Sequence, residues 1–324
     1  MPRPEILPFA TEHLEAAATL LAERHRLQRL VEPLLPERYE SAEEARPLLE
    51  EIWVREGASG SVSVQDGGLT GFLLGAPRPV ATWGENVWVE LAGHATRDAE
   101  VARDLYGAAA GRWVDEGRTR HYVIVPATDR PLVDAWFNVG FGLQHVHAIR
   151  ELHDEPASEA SEPSAIQVGA AEERDVDDLI ELAPLVADHQ ALAPVFARVP
   201  SDDPDELRAE LLEAIATPET GCLVAEVDDR VVGNFEVVPV ERSSTHYGLG
   251  APDGASHLGW AATRREVRGT GAGLALTEAS FRWARDRGYK TMVTDWRATN
   301  LLASRFWPRR GFRPTFFRLY RSIP

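Results

Sequence analysis

The strongest chemical signal in the sequence is a glycine-rich hexapeptide, RGTGAG at residues 268–273, which leads into the amphipathic segment LALTEASFRWARDRG. Glycines let backbone N–H groups approach a ligand closely, and amides at a helix N-terminus bind phosphate oxygens. A strand, this turn and a helix together predict a pyrophosphate cradle. The residues of this cradle are Arg268, Gly269, Thr270, Gly271, Ala272 and Gly273. The spacing fits neither G-x-G-x-x-G nor Walker A, and a purely structural tight turn is the alternative.

A second motif, NLLASRFWPRRGF at residues 300–312, begins 27 residues after the cradle. Its asparagine stands at the start of a predicted helix, where Asn is a favoured N-cap. Its ending, W-x-x-x-G-F, also occurs at residues 136–141. The two occurrences lie 171 residues apart, which points to an internal repeat.

The repeat extends beyond that motif. At this offset Asp129 aligns with Asn300, Trp136 with Trp307 and Arg150 with Arg321. Upstream, DGGLTGFLLG (66–75) resembles DDRVVGNFEV (228–237), and each predicts a hairpin with a Gly-bearing turn. The stretch LHDEPASEASEPS between the copies has the composition of a linker. We therefore expect a first domain at 1–152, a linker at 153–164 and a second domain at 165–324.

Hydrophobic patterning and helix breakers predict the same order of elements in each half. In the second half, the predicted strands are 166–168, 221–228, 231–240, 257–264, 289–295 and 314–321, and the predicted helices are 171–184, 204–216, 273–287 and 300–309. In the first half, Ser41 and Glu44 form a predicted capping box at the start of a helix. The expected fold class is α/β (α+β), with two copies of a mixed, largely antiparallel sheet flanked by helices.

Composition narrows the class of protein. The chain has 324 residues, of which 44% are hydrophobic, enough for two domains with separate cores. No apolar run approaches the roughly 20 residues that span a bilayer, and MPRPEILPF lacks a signal-peptide core, so we expect a cytoplasmic protein without a membrane partner. The single cysteine, Cys222, excludes an internal disulfide and a cysteine metal cluster, and its apolar surroundings predict a buried thiol. No metal is expected.

The charge is unevenly distributed. The net charge of −17 argues against general nucleic-acid binding, yet residues 260–324 carry fourteen Lys and Arg against four acidic residues. That segment is therefore +10, which favours a polyanionic ligand on one side of the molecule. A basic surface of solvated arginines is the alternative. The oligomeric state is left open by the sequence.

Taken together, the two motifs resemble those of the GNAT (GCN5-related) N-acetyltransferase superfamily. The family signature R/Q-x-x-G-x-G/A is matched by Arg268, Gly271 and Gly273. The later family pattern N-x-x-A-x-x-x-Y-x-x-x-G-F is matched by Asn300, Ala303, Gly311 and Phe312. The resemblance covers the second half directly and the first half through the repeat, so a tandem GNAT protein is expected.

The resemblance implies acetyl-CoA as the cosubstrate. The pyrophosphate is then expected on the amides of the Gly-rich loop from Val267 to Gly273. The pantetheine arm is expected between the strands near 258–264 and 290–295, with Asn300 hydrogen-bonded to it. A backbone N–H around Ala262 and Thr263 would polarise the thioester carbonyl, and a neutral amine would attack it directly, without a covalent enzyme intermediate. Ser304 and Trp307 are also expected beside the cosubstrate.

One position departs from the family pattern. Trp307 stands where many GNAT enzymes have the tyrosine that protonates the departing thiolate, and an indole N–H is too weak an acid for that step. Because Trp136 occupies the same place in the first copy, a packing role is favoured for both. Ser304 and Tyr320 are nearby substitutes for the tyrosine, although a structural role is favoured for each.

The general base is to be found on strands or loops that border the thioester. Asp295 and Glu236 are the first candidates for a catalytic role, because their strands should end at the acetyl group. His246 and His257 are the others.

The first copy lacks the cradle. There RDAEVA replaces RGTGAG, so that Glu100 and Ala102 stand for Gly271 and Gly273, and residues 1–152 are interpreted as a degenerate copy. The function expected is transfer of an acetyl group to a primary amine of a small molecule or peptide, and the acidic bulk of the chain favours a cationic acceptor. The alternative is a catalytically silent acyl-CoA-binding or sensing module.

Overall fold

The computed structural model describes residues 4–153, 165–197 and 203–324. The expected linker at 153–164 lies outside the described residues except for His153. The chain forms two compact units. The first contains residues 1–147, 248–253 and 314–324, and the second contains residues 148–247 and 254–313. The division into domains at 153–164 stays a prediction.

The first unit begins with a helical pair and a hairpin. Its helices are α1 (Leu14–Arg29), α2 (Ala42–Trp53), α3 (Val101–Asp115) and α4 (Arg130–Asn138). Its strands include β1 (Glu5–Pro8), β2 (Ser59–Gln65), β3 (Gly68–Gly75), β4 (Asn86–Val89), β5 (His94–Thr96) and β6 (Arg120–Pro126), and β7 (Gly142–Glu151) begins in this unit. Strands β1, β2, β3 and β5 form an antiparallel sheet in that order, while β4 pairs in parallel with β6.

The second unit repeats this order of elements. Its helices are α5 (Val176–Leu182), α6 (Pro184–Ala191), α7 (Pro204–Ala216), α8 (Ala272–Asp286) and α9 (Leu301–Phe306). Its strands β8 (Gln167–Ala170), β9 (Gly221–Val227), β10 (Arg230–Pro239), β11 (Ser256–Thr263) and β12 (Thr291–Arg297) lie side by side in chain order. All of these pairings are antiparallel except that of β11 with β12, which is parallel. The mixed α/β fold expected from the sequence is confirmed.

The structure also confirms the repeat. Helices α3 and α8 begin 171 residues apart, as do strands β6 and β12. The last strand, β13 (Arg313–Ser322), is the counterpart of β7, and it pairs with β6 inside the first unit, from Phe316 opposite Pro126 to Ser322 opposite Arg120. The second repeat therefore supplies a strand to the first unit, which the sequence pattern did not predict.

Three local predictions require correction. Ser41 is the N-cap residue of α2, but its side chain makes no capping hydrogen bond, so the predicted capping box is wrong. The β9–β10 turn is formed by Asp228 and Asp229, both with positive φ, and contains no glycine, unlike the Asp66-Gly67 turn of the first hairpin. The segment predicted as one helix at 171–184 contains a short 3-10 turn (Glu173–Asp175) and α5, and the separate helix α6 begins at its last residue.

Each unit buries its own apolar residues. In the first unit, Trp88, Trp113 and Trp136 are each 1% exposed. In the second unit, the side chains beneath β9 and β10 include Cys222, which is buried as expected, and burial raises the pKa of its thiol to about 11. Among the described residues, no helix is long and apolar enough to cross a membrane.

Candidate active site

The two central strands of the second unit separate at Gly259. Strands β11 and β12 pair only from Ser256 to Leu258, opposite Met292 to Thr294, although both strands continue beyond that point. Along the other edge of β11, Leu258 and Trp260 face consecutive residues of β10, so Gly259 forms a bulge. A bulge bends and twists its strand. The result is a V-shaped opening between β11 and β12, with its apex at Gly259.

The open end of the V leads to the predicted cradle. A 3-10 turn at Arg265–Val267 precedes the loop, and Gly269 and Gly271 adopt φ values of 84° and 104°, a region that disfavours side chains. Helix α8 starts directly after Gly271, so the amides of its first turn have no partner within the helix. A Cβ added at Gly269 or Gly271 would meet no atom within 4 Å, so open space lies beside the loop. These residues fit a phosphate group.

A cleft of about 480 Å³ connects the cradle with β11. Of the predicted residues, those that line it are Ala262, Thr263, Val267, Arg268, Gly269, Gly271, Gly273, Asn300 and Trp307. Thr270, Ala272 and Ser304 do not line it. Helix α6 supplies a wall that the sequence reasoning missed, formed by Leu185, Val186 and His189. Leu274, Leu302 and Phe306 add further apolar surface.

Asn300 is both a helix cap and a cleft residue. Its Oδ1 accepts hydrogen bonds from the amides of Leu302 (3.1 Å) and Ala303 (3.2 Å), so the N-cap interpretation is correct. His189 Nε2 lies 3.2 Å from the same oxygen. Because Oδ1 is engaged in the cap, the Nδ2 amide is the group of Asn300 that can donate to a ligand in the cleft.

Trp307 packs among aromatic rings. It is 5% exposed, and its ring lies 4.9 Å from that of Phe306, 5.6 Å from that of Phe312 and 6.0 Å from that of Phe235. Trp136, its counterpart in the first unit, is 1% exposed and contacts Phe141 in the same edge-on way. The burial of both rings agrees with the packing role expected from the repeat.

A polar cluster lies at the apex of the V. Asp295 directly follows the last paired residue of β12, and its Oδ1 lies 3.4 Å from His257 Nε2 and 3.6 Å from His246 Nε2. Thr245 Oγ1 donates a hydrogen bond of 2.9 Å to the same oxygen. Both histidines are buried, whereas the Asp295 side chain is 17% exposed. Of the four residues weighed as a base, three are therefore gathered at one point.

Glu236, the fourth, lies nearby on β10. It pairs with Trp260 beside the bulge and is half-buried. Burial raises the pKa of its carboxyl, while the neighbouring His257 opposes that shift. Neither Glu236 nor Asp295 lines the cleft. Both lie close to the apex of the V, because Glu236 pairs with Trp260 and Asp295 follows Thr294, the last residue of β12 that pairs with β11. Their catalytic role stays a prediction.

Two arginines near the cradle have different surroundings. Arg264 is 9% exposed and anchors β11, because it donates to the Val231 carbonyl and forms an ion pair with Glu181 at 2.9 Å. Arg268, by contrast, is exposed and lines the cleft. Arg268 is therefore the arginine of this loop that can meet an anionic ligand.

The equivalent loop of the first unit has another conformation. Glu100, which aligns with Gly271, adopts a helical φ of −63°, and its amide is bonded to Asp98 Oδ1 at 3.0 Å. Arg97, which aligns with Arg268, lies 3.4 Å from Glu23. The backbone donor and the arginine are thus occupied by carboxylates of the protein, which agrees with a degenerate copy.

The fold and the arrangement of this cleft are of the GNAT type. Residues 187–312 match the model of the acetyltransferase (GNAT) family. Acetyl transfer from acyl-CoA is the general chemistry of that family. A comparison with curated proteins gave no match.

Solved structures agree on the fold. The chain is similar to a GCN5-related N-acetyltransferase from Sphaerobacter thermophilus, with 17% identity, a TM-score of 0.61 and coverage of 99% of this chain and 96% of the other. It is also similar to the glucosamine N-acetyltransferase region of a fungal multi-domain GH3 β-N-acetylglucosaminidase, with 14% identity, a TM-score of 0.53 and coverage of 99% and 38%. At these identities, the likeness concerns the fold.

Proposed function

We propose that the second unit is an acetyl-CoA-dependent N-acetyltransferase that acetylates a primary amine of a small molecule or peptide by direct attack in a ternary complex. The carrying observation is the V between β11 and β12. One end opens on a phosphate-type cradle, and Asp295 and its histidines lie at the other end, the apex. A ligand with phosphates at one end and a reactive group at the other fits this arrangement.

The length of the V suits the pantetheine arm. Thr263, beside the cradle, lies four positions along β11 from Gly259 at the apex, which is roughly 13 Å of strand. The edge of β11 that faces β12 has no partner strand beyond Leu258 in the described part of the chain, so its backbone groups are available to the arm. The amide of Asn300 and the apolar wall of α6 complete the channel.

The reaction needs little from the protein beyond positioning and proton transfer. The amine nitrogen attacks the thioester carbonyl carbon, the carbonyl oxygen becomes anionic, and a backbone N–H near the bulge stabilises it. The C–S bond then breaks, and CoA leaves as a thiolate. The amine proton passes to Asp295 or Glu236, directly or through water. A thiolate is a fair leaving group at neutral pH, since a thiol pKa is about 8.5, so Trp307 in place of a tyrosine does not preclude turnover.

The acceptor is expected to be cationic before it loses its proton. The chain carries a net charge of −17, and the two candidate carboxyls lie near the apex of the V. Such a field attracts ammonium groups. One of the two carboxylates then accepts the amine proton close to the thioester.

Release of free thiol from acetyl-CoA, measured against a panel of primary amines, tests the proposal. We expect turnover with at least one cationic amine. Asp295→Asn and Glu236→Gln are near-isosteric variants that identify the base, because the variant of the true base loses roughly 10²- to 10⁴-fold in kcat while its KM for acetyl-CoA is retained. If both variants keep full activity, neither carboxyl is the base.

The buried Trp307 favours a second candidate function, a catalytically silent acyl-CoA sensor. Acetyl-CoA would then bind with ordinary affinity in calorimetry, yet no amine of the panel would release thiol. That combination of results would replace acetyl transfer by sensing as the function of this cleft.

A further inference from the structure

The geometry of the apex points to a further site, for a metal ion. We propose that His246, His257 and Asp295 bind one divalent transition-metal ion of the zinc class. Their donor atoms all lie within 4.8 Å of one another, and they come from the loop after β10, from β11 and from β12. Metal binding of this kind does not depend on acetyl transfer by the protein.

The distances between the donor atoms suit a metal ion better than hydrogen bonds. Asp295 Oδ1 lies 3.4 Å from one imidazole nitrogen and 3.6 Å from the other, whereas good hydrogen bonds of this type measure 2.7–3.2 Å. Zinc binds nitrogen and oxygen at about 2.0–2.1 Å, which separates two ligands of a tetrahedral ion by about 3.3 Å. The two separations from Asp295 Oδ1 are close to this spacing, and small side-chain movements would bring all three donor atoms, now within 4.8 Å of one another, around one ion.

The chemistry of the donor set is also appropriate. Two imidazoles and one carboxylate are a common three-ligand set for zinc, and they leave a fourth position for water or a substrate atom. The hydroxyl of Thr245, bonded to Asp295, orients the carboxylate as an outer-sphere partner does in metal sites. Glu236 adds an acidic group close to His257, which favours a cation.

An ion can enter from solvent. Gly259 is exposed and lies directly against the His257 ring, so that a Cβ added there would come within 3.0 Å of the ring carbon Cε1. A side chain at this position would therefore crowd the imidazole. The Asp295 side chain is partly exposed, at 17%, which gives an ion access to its carboxylate. His257 and Asp295 are held in place by the paired strands β11 and β12.

Asp295 cannot accept a proton while it binds a metal ion, because both roles use the same carboxylate. Glu236 is not among the three ligands. If Asp295 is the base of the proposed reaction, zinc inhibits it, whereas a reaction that uses Glu236 continues with the metal in place.

The test is equilibrium dialysis and calorimetry of the full chain, without a histidine tag, with Zn²⁺ alone and with Co²⁺ as a visible-light probe of coordination geometry. We expect one ion per chain and the absorption of four-coordinate Co²⁺. Asp295→Asn, His246→Gln and His257→Gln should each weaken binding by at least about ten-fold to a hundred-fold. The exposed pair of His153 and Glu151, 3.3 Å apart, supplies the matched control, and His153→Gln should bind as the wild type does.

Zinc-edge X-ray absorption of the wild type provides a readout that does not depend on the folding of any variant. Scattering from two imidazoles supports the site. An adventitious ion only, seen as equal binding by the wild type and by a folded Asp295→Asn variant, overturns the proposal. So does an absence of Zn²⁺ and Co²⁺ binding at millimolar concentration. None of these measurements uses acetyl-CoA. A negative result for the metal site therefore leaves the proposed acetyl transfer untouched, and the thiol-release assay tests that proposal separately.

Discussion

Arg150 donates a hydrogen bond to the backbone carbonyl of Arg310, 160 residues further along the chain. The contact fixes the turn at Gly311, whose φ is 79°. The aligned pair in the first unit does the same, since Arg321 donates to the Val139 carbonyl at 2.6 Å beside Gly140. Each W-x-x-x-G-F motif is thus held by the arginine from the last strand of the other repeat.

This exchange predicts what happens when the chain is cut between the repeats. A fragment ending at residue 160 lacks β13, which completes the first unit, and the complementary fragment lacks Arg150. We expect each fragment alone to be insoluble or to melt without cooperativity, because an unpaired strand edge and open apolar surface remain. Co-expression should restore a soluble pair with the melting behaviour of the full chain.

Circular dichroism and size-exclusion chromatography of each fragment alone and of the co-expressed pair test this prediction. A cut elsewhere in an exposed loop of one unit, for example between Asp66 and Gly67, is the control and should be tolerated better. Cooperative folding of either fragment by itself would mean that the exchanged strand is dispensable.

The cradle predicts a difference between two substitutions at one position. Gly273 lies in the first turn of α8, and a Cβ there would meet the Phe306 ring at 3.7 Å, an ordinary contact. Gly273→Ala should therefore bind CoA within a few-fold of the wild type. Gly273→Glu brings a carboxylate near the pyrophosphate, where like charges 4 Å apart repel by as much as about 4 kcal/mol. Calorimetry should show a loss of affinity approaching a thousandfold.

The degenerate first unit supplies the control for that experiment. Glu100→Gly removes the carboxylate at the corresponding helix, but the helical conformation and the Asp98 bond to that amide remain. Affinity and stoichiometry for CoA should stay unchanged. A second equivalent of CoA, or a lost one, would show that the ligand had been assigned to the wrong unit.

Trp307 is expected to matter for stability rather than for chemistry. Trp307→Phe retains an aromatic ring among Phe235, Phe306 and Phe312, so turnover should fall only modestly. Trp307→Ala leaves a cavity and should lower the free energy of unfolding by about 3 to 5 kcal/mol in urea titrations. Abolished turnover in a folded Trp307→Phe variant that binds CoA would give the indole a chemical role.

Two buried histidines of the first unit predict a loss of stability in mild acid. Burial, with Arg24 beside it, lowers the pKa of His94 to about 3, and burial likewise lowers that of His25 to about 4, against an unfolded value of 6.5. Below pH 6.5 only the unfolded chain takes up these protons. Stability is therefore complete above that pH and is lost toward pH 4, by about 1.4 kcal/mol per pH unit for each histidine.

Urea titrations between pH 7.5 and 5 measure this slope. His94→Asn should reduce it, whereas the exposed His153→Asn should leave it as in the wild type. The variant also loses the hydrogen bond between His94 and the Ile124 carbonyl, which lowers its stability at every pH. Because the slopes with pH are compared rather than the absolute stabilities, this loss does not affect the result. An unchanged slope in His94→Asn would mean that this imidazole is protonated in the folded protein as well.

The sequence by itself determined the features that depend on neighbours along the chain. The start of α8 after Gly271, the cap at Asn300 and the offset of 171 between the repeats all rest on local residue types, and the structure has them where the sequence predicts. Glycine with positive φ and a capping side chain act within a few residues, so their signals survive without tertiary information. The capping box at Ser41 failed because a fitting residue type does not guarantee that its hydrogen bond forms.

Only the tertiary structure decided which strand completes which sheet and which side chains meet. A β-strand pattern shows which face of a strand is buried but not which strand lies beside it, so the sequence of β13 could not assign this strand to the first unit. The same holds for the site. His246, His257 and Asp295 come from three separate segments, and α6 reaches the cleft from far upstream, because pairing of distant strands and packing of helices upon them bring these residues together.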